Sequence, residues 1–427
     1  MSRFFGSQTS ANVHDSFISP LLSAVSKAEA KRRCIKLPDE LWLELGTRRT
    51  LSDQKSGRGF LEGMEDRLDV HLNFQTFFES LTSERRLRFL ESVSGHVCQQ
   101  VDDECLDEND PFLSVKSLSN YEIFAGDGHY VDHACHDKRI EDKHYASGDF
   151  FAANLRTHSL FHLSSALRDG TRKREHDMHA LKSLTVESLR NGAVAGRQVL
   201  WIWDRAGIDA QFWAKVRSTH GIYFLSRAKE NMRLDTLGPL PYNETSPCNR
   251  GVTRFELVSV ANTALRCVYY TCPDSGHEFI FLTTLTTIEP GIIAMLYKAR
   301  WDIEKIFDEL KRKLEESKSW ASSPQAKRIH ALFRCLAHNL LLIHERWLSL
   351  QHGITDQKDL TRARKRLHES ILQARERGAL LSPLAKLLAL RRTQRPLCFI
   401  RWVRNSIDKC ASWEALLRPL RARLGCF

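Results

Sequence analysis

Two apolar runs, YEIFAG and VLWIW, each end on an aspartate beside a turn, Asp127 and Asp204, and this restricts what the chain can fold into. Runs this short, rich in β-branched and aromatic residues, read as buried strands rather than helices. A carboxylate just past such a strand projects from the rim of a sheet, where ligands gather. Between the two runs, FAANLRTHSLFHLSSAL reads as further strands separated by turns. After them come a helical stretch, DAQFWAKVRS, and another strand, GIYFLSRAK. The order β-β-β-α-β-α predicts a mixed α/β sheet.

The regions around this core have other textures. Residues 12–110 are mostly helical in pattern, with Pro38 before Asp39-Glu40-Leu41-Trp42 marking one helix start and FQTFFESL and SERRLRFLESV giving two more. Residues 231–289 place Pro239, Pro241, Pro247 and Pro273 between TRFELVSV, ALRCVYY and EFIFLTTL, the pattern of an antiparallel β insertion. Glu289-Pro290-Gly291 opens a long helix expected over about 290–316, and Ser323-Pro324 opens a second that runs to about 350. The expected organisation is a helical N-terminal DNA-binding region (1–115), a core domain (116–350) and a basic helical C-terminal region for DNA binding and dimerisation (351–427).

Lys and Arg outnumber Asp and Glu by 63 to 52, and basic doublets and triplets recur from Lys31-Arg32-Arg33 through Arg364-Lys365-Arg366 to Arg391-Arg392. A scattered excess suits a long track of phosphates better than one small anionic pocket. The first residues lack the continuous apolar core of a secretory signal, and no stretch reaches the ~18 apolar residues of a membrane span. The eleven cysteines stand singly with no C-x-x-C pair, as reduced thiols in a cytosol do.

The run YKARWDIEKIFDELK carries the chemistry. At about 100° per residue, with Tyr297 at zero, Arg300 falls at roughly −60°, Glu304 at roughly −20° and Lys311 at roughly −40°. These four form one stripe beside the apolar face of Leu296, Ile303, Phe307, Leu310 and Leu314. Asp127, Asp204 and Glu304 would thus supply oxygen ligands for hard cations, Mg²⁺ or Mn²⁺ in its place. Two such ions about 4 Å apart suit in-line phosphoryl displacement. Asp308 shares the stripe and is the rival ligand. Asp132, Asp137 and Asp209 read as surface or supporting groups, and His129, His133, Cys135 and His136 fit no closed zinc spacing.

Tyr297, Arg300, Glu304 and Lys311 fit Y-x2-R-x3-E-x6-K, and with DGHYVDHA, WDRAGID and YFLSRAKEN the chain resembles the insertion-sequence-four family of bacterial DDE transposases over roughly 119–345. The resemblance implies an RNase H-like catalytic core and two Mg²⁺ ions. It also implies binding to terminal inverted repeats and target DNA, cut-and-paste movement, and two protomers in a paired-end complex acting in the bacterial nucleoid. By position, Asp127, Asp204 and Glu304 would be catalytic, with Tyr297, Arg300, Lys311, Arg227 and Lys229 on DNA phosphates. The insertion lacks the Trp that relatives with a hairpin step use to hold a flipped base. A nuclease or resolvase of the same fold, or a non-catalytic DNA-binding descendant, are the alternatives.

Overall fold

The computed structural model describes residues 11–34, 36–54, 56–69, 71, 73–105, 110–131, 133, 137–139, 142, 147–165, 183–314 and 318–426. Asp132, Cys135 and His136 lie outside the described residues.

A nine-stranded sheet runs through the centre in the order β4-β3-β2-β5-β6-β10-β9-β8-β7. Its first half is β2 (Tyr121–Val131), β3 (Ser147–Asn154), β4 (Leu160–Ser165), β5 (Gln198–Trp203) and β6 (Ile222–Arg227). β2, β3 and β4 form an antiparallel meander, while β2, β5 and β6 are mutually parallel. This mixed order, flanked by helices, is the RNase H-like core expected from the sequence. The insertion strands β7 (Asp235–Pro239), β8 (Val252–Val260), β9 (Thr263–Thr271) and β10 (Glu278–Thr283) are antiparallel. They extend the same sheet, because β10 pairs with β6. The outermost strand, β7, ends on Pro239, which an edge tolerates because an edge strand needs no further donor there.

Strand alternation assigns each residue to a face. Phe124, Trp201, Trp203 and Phe224 share one core with Trp213 of the helix Ala210–His220, whose ring stacks on Phe224. Ile123, Ala125, Leu200, Ile202 and Leu225 face the opposite way, into a core shared with the helices that follow the insertion. By the same parity Asp127, Asp204 and Arg227 open on that second face.

The long helix anticipated over 290–316 is instead two, α8 (Pro290–Ala299) and α9 (Trp301–Lys313), meeting at Arg300. Arg300 keeps helical angles, but the bonds on both sides tighten to i→i+3: Arg300 N to Tyr297 O, and Ile303 N to Arg300 O. The next helix, α10 (Pro324–His352), is capped by Ser323 as the sequence indicates. Helices from both ends of the chain pack against it and the sheet in one continuous core that reaches from Val13 to Leu424. Two short strands, β1 (Ala11–Asn12) and β11 (Cys410–Ala411), pair with each other.

A strap over residues 391–395 lies along α9. Arg395 donates its Nε to both carboxylate oxygens of Glu309 (3.1 and 2.9 Å) and its backbone N–H to Oε2 (2.6 Å). Thr393 Oγ1 (3.0 Å) and Arg391 Nη1 (3.3 Å) donate to Asp302. Lys313 returns a bond to the carbonyl of Arg395 (2.7 Å). Burial would raise the Glu309 carboxyl, yet the Arg395 guanidinium and His338 hold it down to about 2. Arg391 and Arg392, counted along the sequence as phosphate-facing, are therefore turned inward, to Asp302 and Glu345, as is Arg395 to Glu309. Arg48 and Arg86 are buried likewise, against Glu44 and the carbonyl of Leu37. Arg364, Lys365 and Arg366 remain exposed.

Candidate active site

The parallel register of β2 and β5 ends with Gly126 opposite Trp203, and one residue further on each strand stand Asp127 and Asp204. Neighbouring strands lie about 4.8 Å apart, so the two carboxylates start from adjacent points; β2 nevertheless runs on to Val131, paired with β3, so Asp127 lies within its strand where β5 leaves off, not past a strand end as the sequence suggests. Glycine is required at 126: a Cβ there would come within 2.8 Å of the Trp203 ring. Asp204 accepts the backbone N–H of Arg205, which fixes its direction at the strand end. Asp127 pairs across the sheet with Phe151 and accepts the N–H of Gly128 (2.8 Å).

Glu304 comes from the first turn of α9 and meets Asp127 through an arginine. Arg300 donates Nη1 to Asp127 Oδ2 (3.2 Å) and Nη2 to Glu304 Oε1 (2.6 Å). The Arg300 side chain is 7% exposed, against 19% for Asp127 and 31% for Glu304, so a buried cation faces two carboxylates open to solvent. Burial opposes its charge, but Tyr297, Asp127 and Glu304 hold the guanidinium above the usual arginine range. Tyr297 is half-buried against Phe281, with ring centroids 5.0 Å apart. Burial pushes its hydroxyl up, Arg300 opposes and Asp204 adds to the rise, which puts Asp204 within the field of the same cluster. Arg227, at the end of β6, lies over the Phe279 ring at 5.0 Å and also acts on Tyr297.

The other candidates separate. Lys311 is exposed about two turns beyond Glu304, and Lys229 is half-buried past β6. Asp308 pairs with Arg312 (2.7 Å) and accepts from Gln394 (3.2 Å), away from Asp127. Asp209 caps the helix Ala210–His220, and Asp137 takes Lys327. His129 is buried and its ring lies on Phe307 at 4.7 Å, a packing role. Sequence reasoning missed Trp301: next to Arg300, it is 57% exposed, with the Arg300 guanidinium 6.0 Å from its ring. The signal was its place beside the helical stripe, but exposure is not written in sequence.

Among the described residues no three His, Cys, Asp or Glu side chains already stand close enough to form a metal site. The donor set nonetheless fits divalent cations: it is all oxygen, and two of its members already share one cation, the guanidinium. No described helix is long and apolar enough to cross a membrane.

Two carboxylates from adjacent parallel strands and a third from a helix thus lie on one face of the RNase H-like sheet. Residues 129–340 match the family model of the transposase DDE domain, so the chain carries a DDE-type transposase domain. The match includes Asp204 and Glu304 and begins two residues after Asp127. Comparison with curated proteins gives no match. A domain of this family implies phosphoryl transfer on nucleic acid, and DDE transposases generally use divalent metal ions.

Proposed function

We propose that the protein is a cut-and-paste transposase of the insertion-sequence-four type, which cleaves DNA at the inverted-repeat ends of its element and joins the freed 3′ ends to target DNA. The observation that carries this reading is the meeting of Asp127 and Glu304, from a strand and a helix far apart in sequence, on the sheet face where Asp204 also opens.

Asp127, Asp204 and Glu304 would hold two Mg²⁺ ions, with Mn²⁺ able to substitute. These ions supply charge stabilisation to the attacking and leaving oxygens of an in-line displacement. Tyr297, Arg227, Lys229 and Lys311 orient the DNA backbone, Arg300 takes a phosphate once DNA is present, and Trp301 offers an exposed face to a base. The exposed basic residues of the helix Gln357–Glu376 extend the phosphate track. Two protomers would pair the two ends within the nucleoid.

The test is a Mg²⁺-dependent assay on DNA bearing the element's own ends, wild type beside Glu304→Gln. Nicks at the end junctions, followed by joined products, are expected from wild type alone. Equal cutting by the variant would sink the assignment. Nicking without any joining would favour a nuclease or resolvase of the same fold.

A further inference from the structure

Arg300 occupies an unusual position for a residue expected on DNA. Its guanidinium stands between two carboxylates proposed to take up metal, donating one Nη to each. It is held there by the tightened junction of α8 and α9, and its Nε is buried with no hydrogen-bond partner among the described residues. An arginine cannot discharge by losing its proton, so this positive charge persists at any pH the protein experiences. A divalent cation and the guanidinium therefore compete for the same oxygens.

Resting on the function proposed above, we infer that Arg300 is a positioning residue that stands in for the metal before DNA binds and must be drawn off for the metal to enter. As a stand-in it keeps Asp127 and Glu304 together, two negative groups that would otherwise repel across the gap between β2 and α9. A DNA phosphate offers the guanidinium a better partner, because fork-to-phosphate contacts are bidentate and charge-assisted. Drawing Arg300 toward the backbone frees both carboxylates at the moment the substrate arrives. DNA and metal then bind cooperatively, and the coupling resides in one side chain. The incomplete bonding of Nε fits a group with a second place to go.

The test measures binding, not turnover. Mn²⁺ is titrated into the full chain and the free ion followed by electron paramagnetic resonance, with protein alone and with a pre-cut end duplex so that no cleavage intervenes. For wild type, DNA should raise Mn²⁺ affinity about tenfold, within the usual range of coupling between two sites. Arg300→Ala and Arg300→Gln should bind Mn²⁺ without DNA about tenfold more tightly than wild type, and DNA should add little further. Glutamine removes the charge but keeps N–H donors for the two carboxylates, so it reports on the coupling if the alanine variant fails to fold. Variants that bind Mn²⁺ no more tightly than wild type, or that keep the full gain from DNA, overturn the inference. Asp127→Asn and Glu304→Gln should weaken Mn²⁺ in every background. If they leave it unchanged, the metal site itself is wrong, whatever Arg300 does.

Discussion

Replacing Arg395 by methionine removes the guanidinium from a carboxylate that water does not reach. Glu309 is 0% exposed, and Arg395 supplies two side-chain nitrogens to it as well as a backbone N–H. The variant keeps the backbone bond and the His338 ring 3.3 Å away but leaves the charge without its counterion. Breaking a buried pair from one side costs about 3–5 kcal/mol. That is a large part of the roughly 5–15 kcal/mol that holds a domain folded. Urea unfolding followed by tryptophan fluorescence should read this loss. The double variant Glu309→Met/Arg395→Met should recover most of it, since an apolar pair of similar volume is often neutral in place of a buried ion pair. The sign of the pH dependence gives an independent check. In wild type the Glu309 pKa is depressed to about 2, so its contribution is fully present above the ordinary glutamate range and is lost as pH falls from that range through about 2. In Arg395→Met the buried carboxyl rises instead, and stability should fall as pH rises. A single variant costing less than about 1 kcal/mol, or a double variant no better than the single, would refute the reasoning. Cleavage should fall with stability, although Asp127, Asp204 and Glu304 are untouched.

Other consequences can be checked separately. Asp127→Asn and Asp204→Asn should each reduce end cleavage to background while leaving metal-free filter binding of the end duplex within about threefold, since a carboxylate offers a phosphate no attraction; cleavage at wild-type rates by either would remove it from the site. Trp301→Ala should leave unfolding unchanged, because the ring is 57% exposed, and weaken binding of DNA with an unpaired base by about 1–3 kcal/mol; unaltered affinity would deny the ring a stacking role. Burial raises the Asp102 carboxyl to about 6, against the pull of Thr157 and Ser159. The folded state thus holds this proton more tightly than the unfolded one, and stability from this group falls as pH rises from about 4 to about 6. Asp102→Asn should flatten that part of the curve; an unchanged slope would contradict the assignment.

The sequence made local features legible and hid those that depend on distant partners. YEIFAG and VLWIW are legible as strands because burial and strand propensity act over a few residues, but the continuation of β2 past Asp127 to Val131 is not, since it depends on pairing with β3. The polar stripe from Tyr297 to Glu304 followed from helical period alone, and its apolar neighbours Ile303, Phe307 and Leu310 are all buried. The break at Arg300 was not legible, since no proline or glycine marks it. Nor was the inward turn of Arg391, Arg392 and Arg395, whose acidic partners lie on α9 and α10. A basic doublet reads the same whether it meets phosphate or a buried glutamate. The bridge from Arg300 to Asp127 was hidden for a similar reason: it spans 173 positions.

The strap along α9 also bears on how the protein is made. Translation delivers Asp127 first, Asp204 next and Glu304 third, yet the groups that fix the helix beneath Glu304 emerge only with Arg391 and Arg395. A nascent chain therefore carries all three carboxylates proposed to bind metal before it owns the clamp that aims the last of them. A copy of the gene interrupted ahead of codon 391 would still encode the whole proposed acidic triad, and its product would lack the clamp on the helix that carries Glu304.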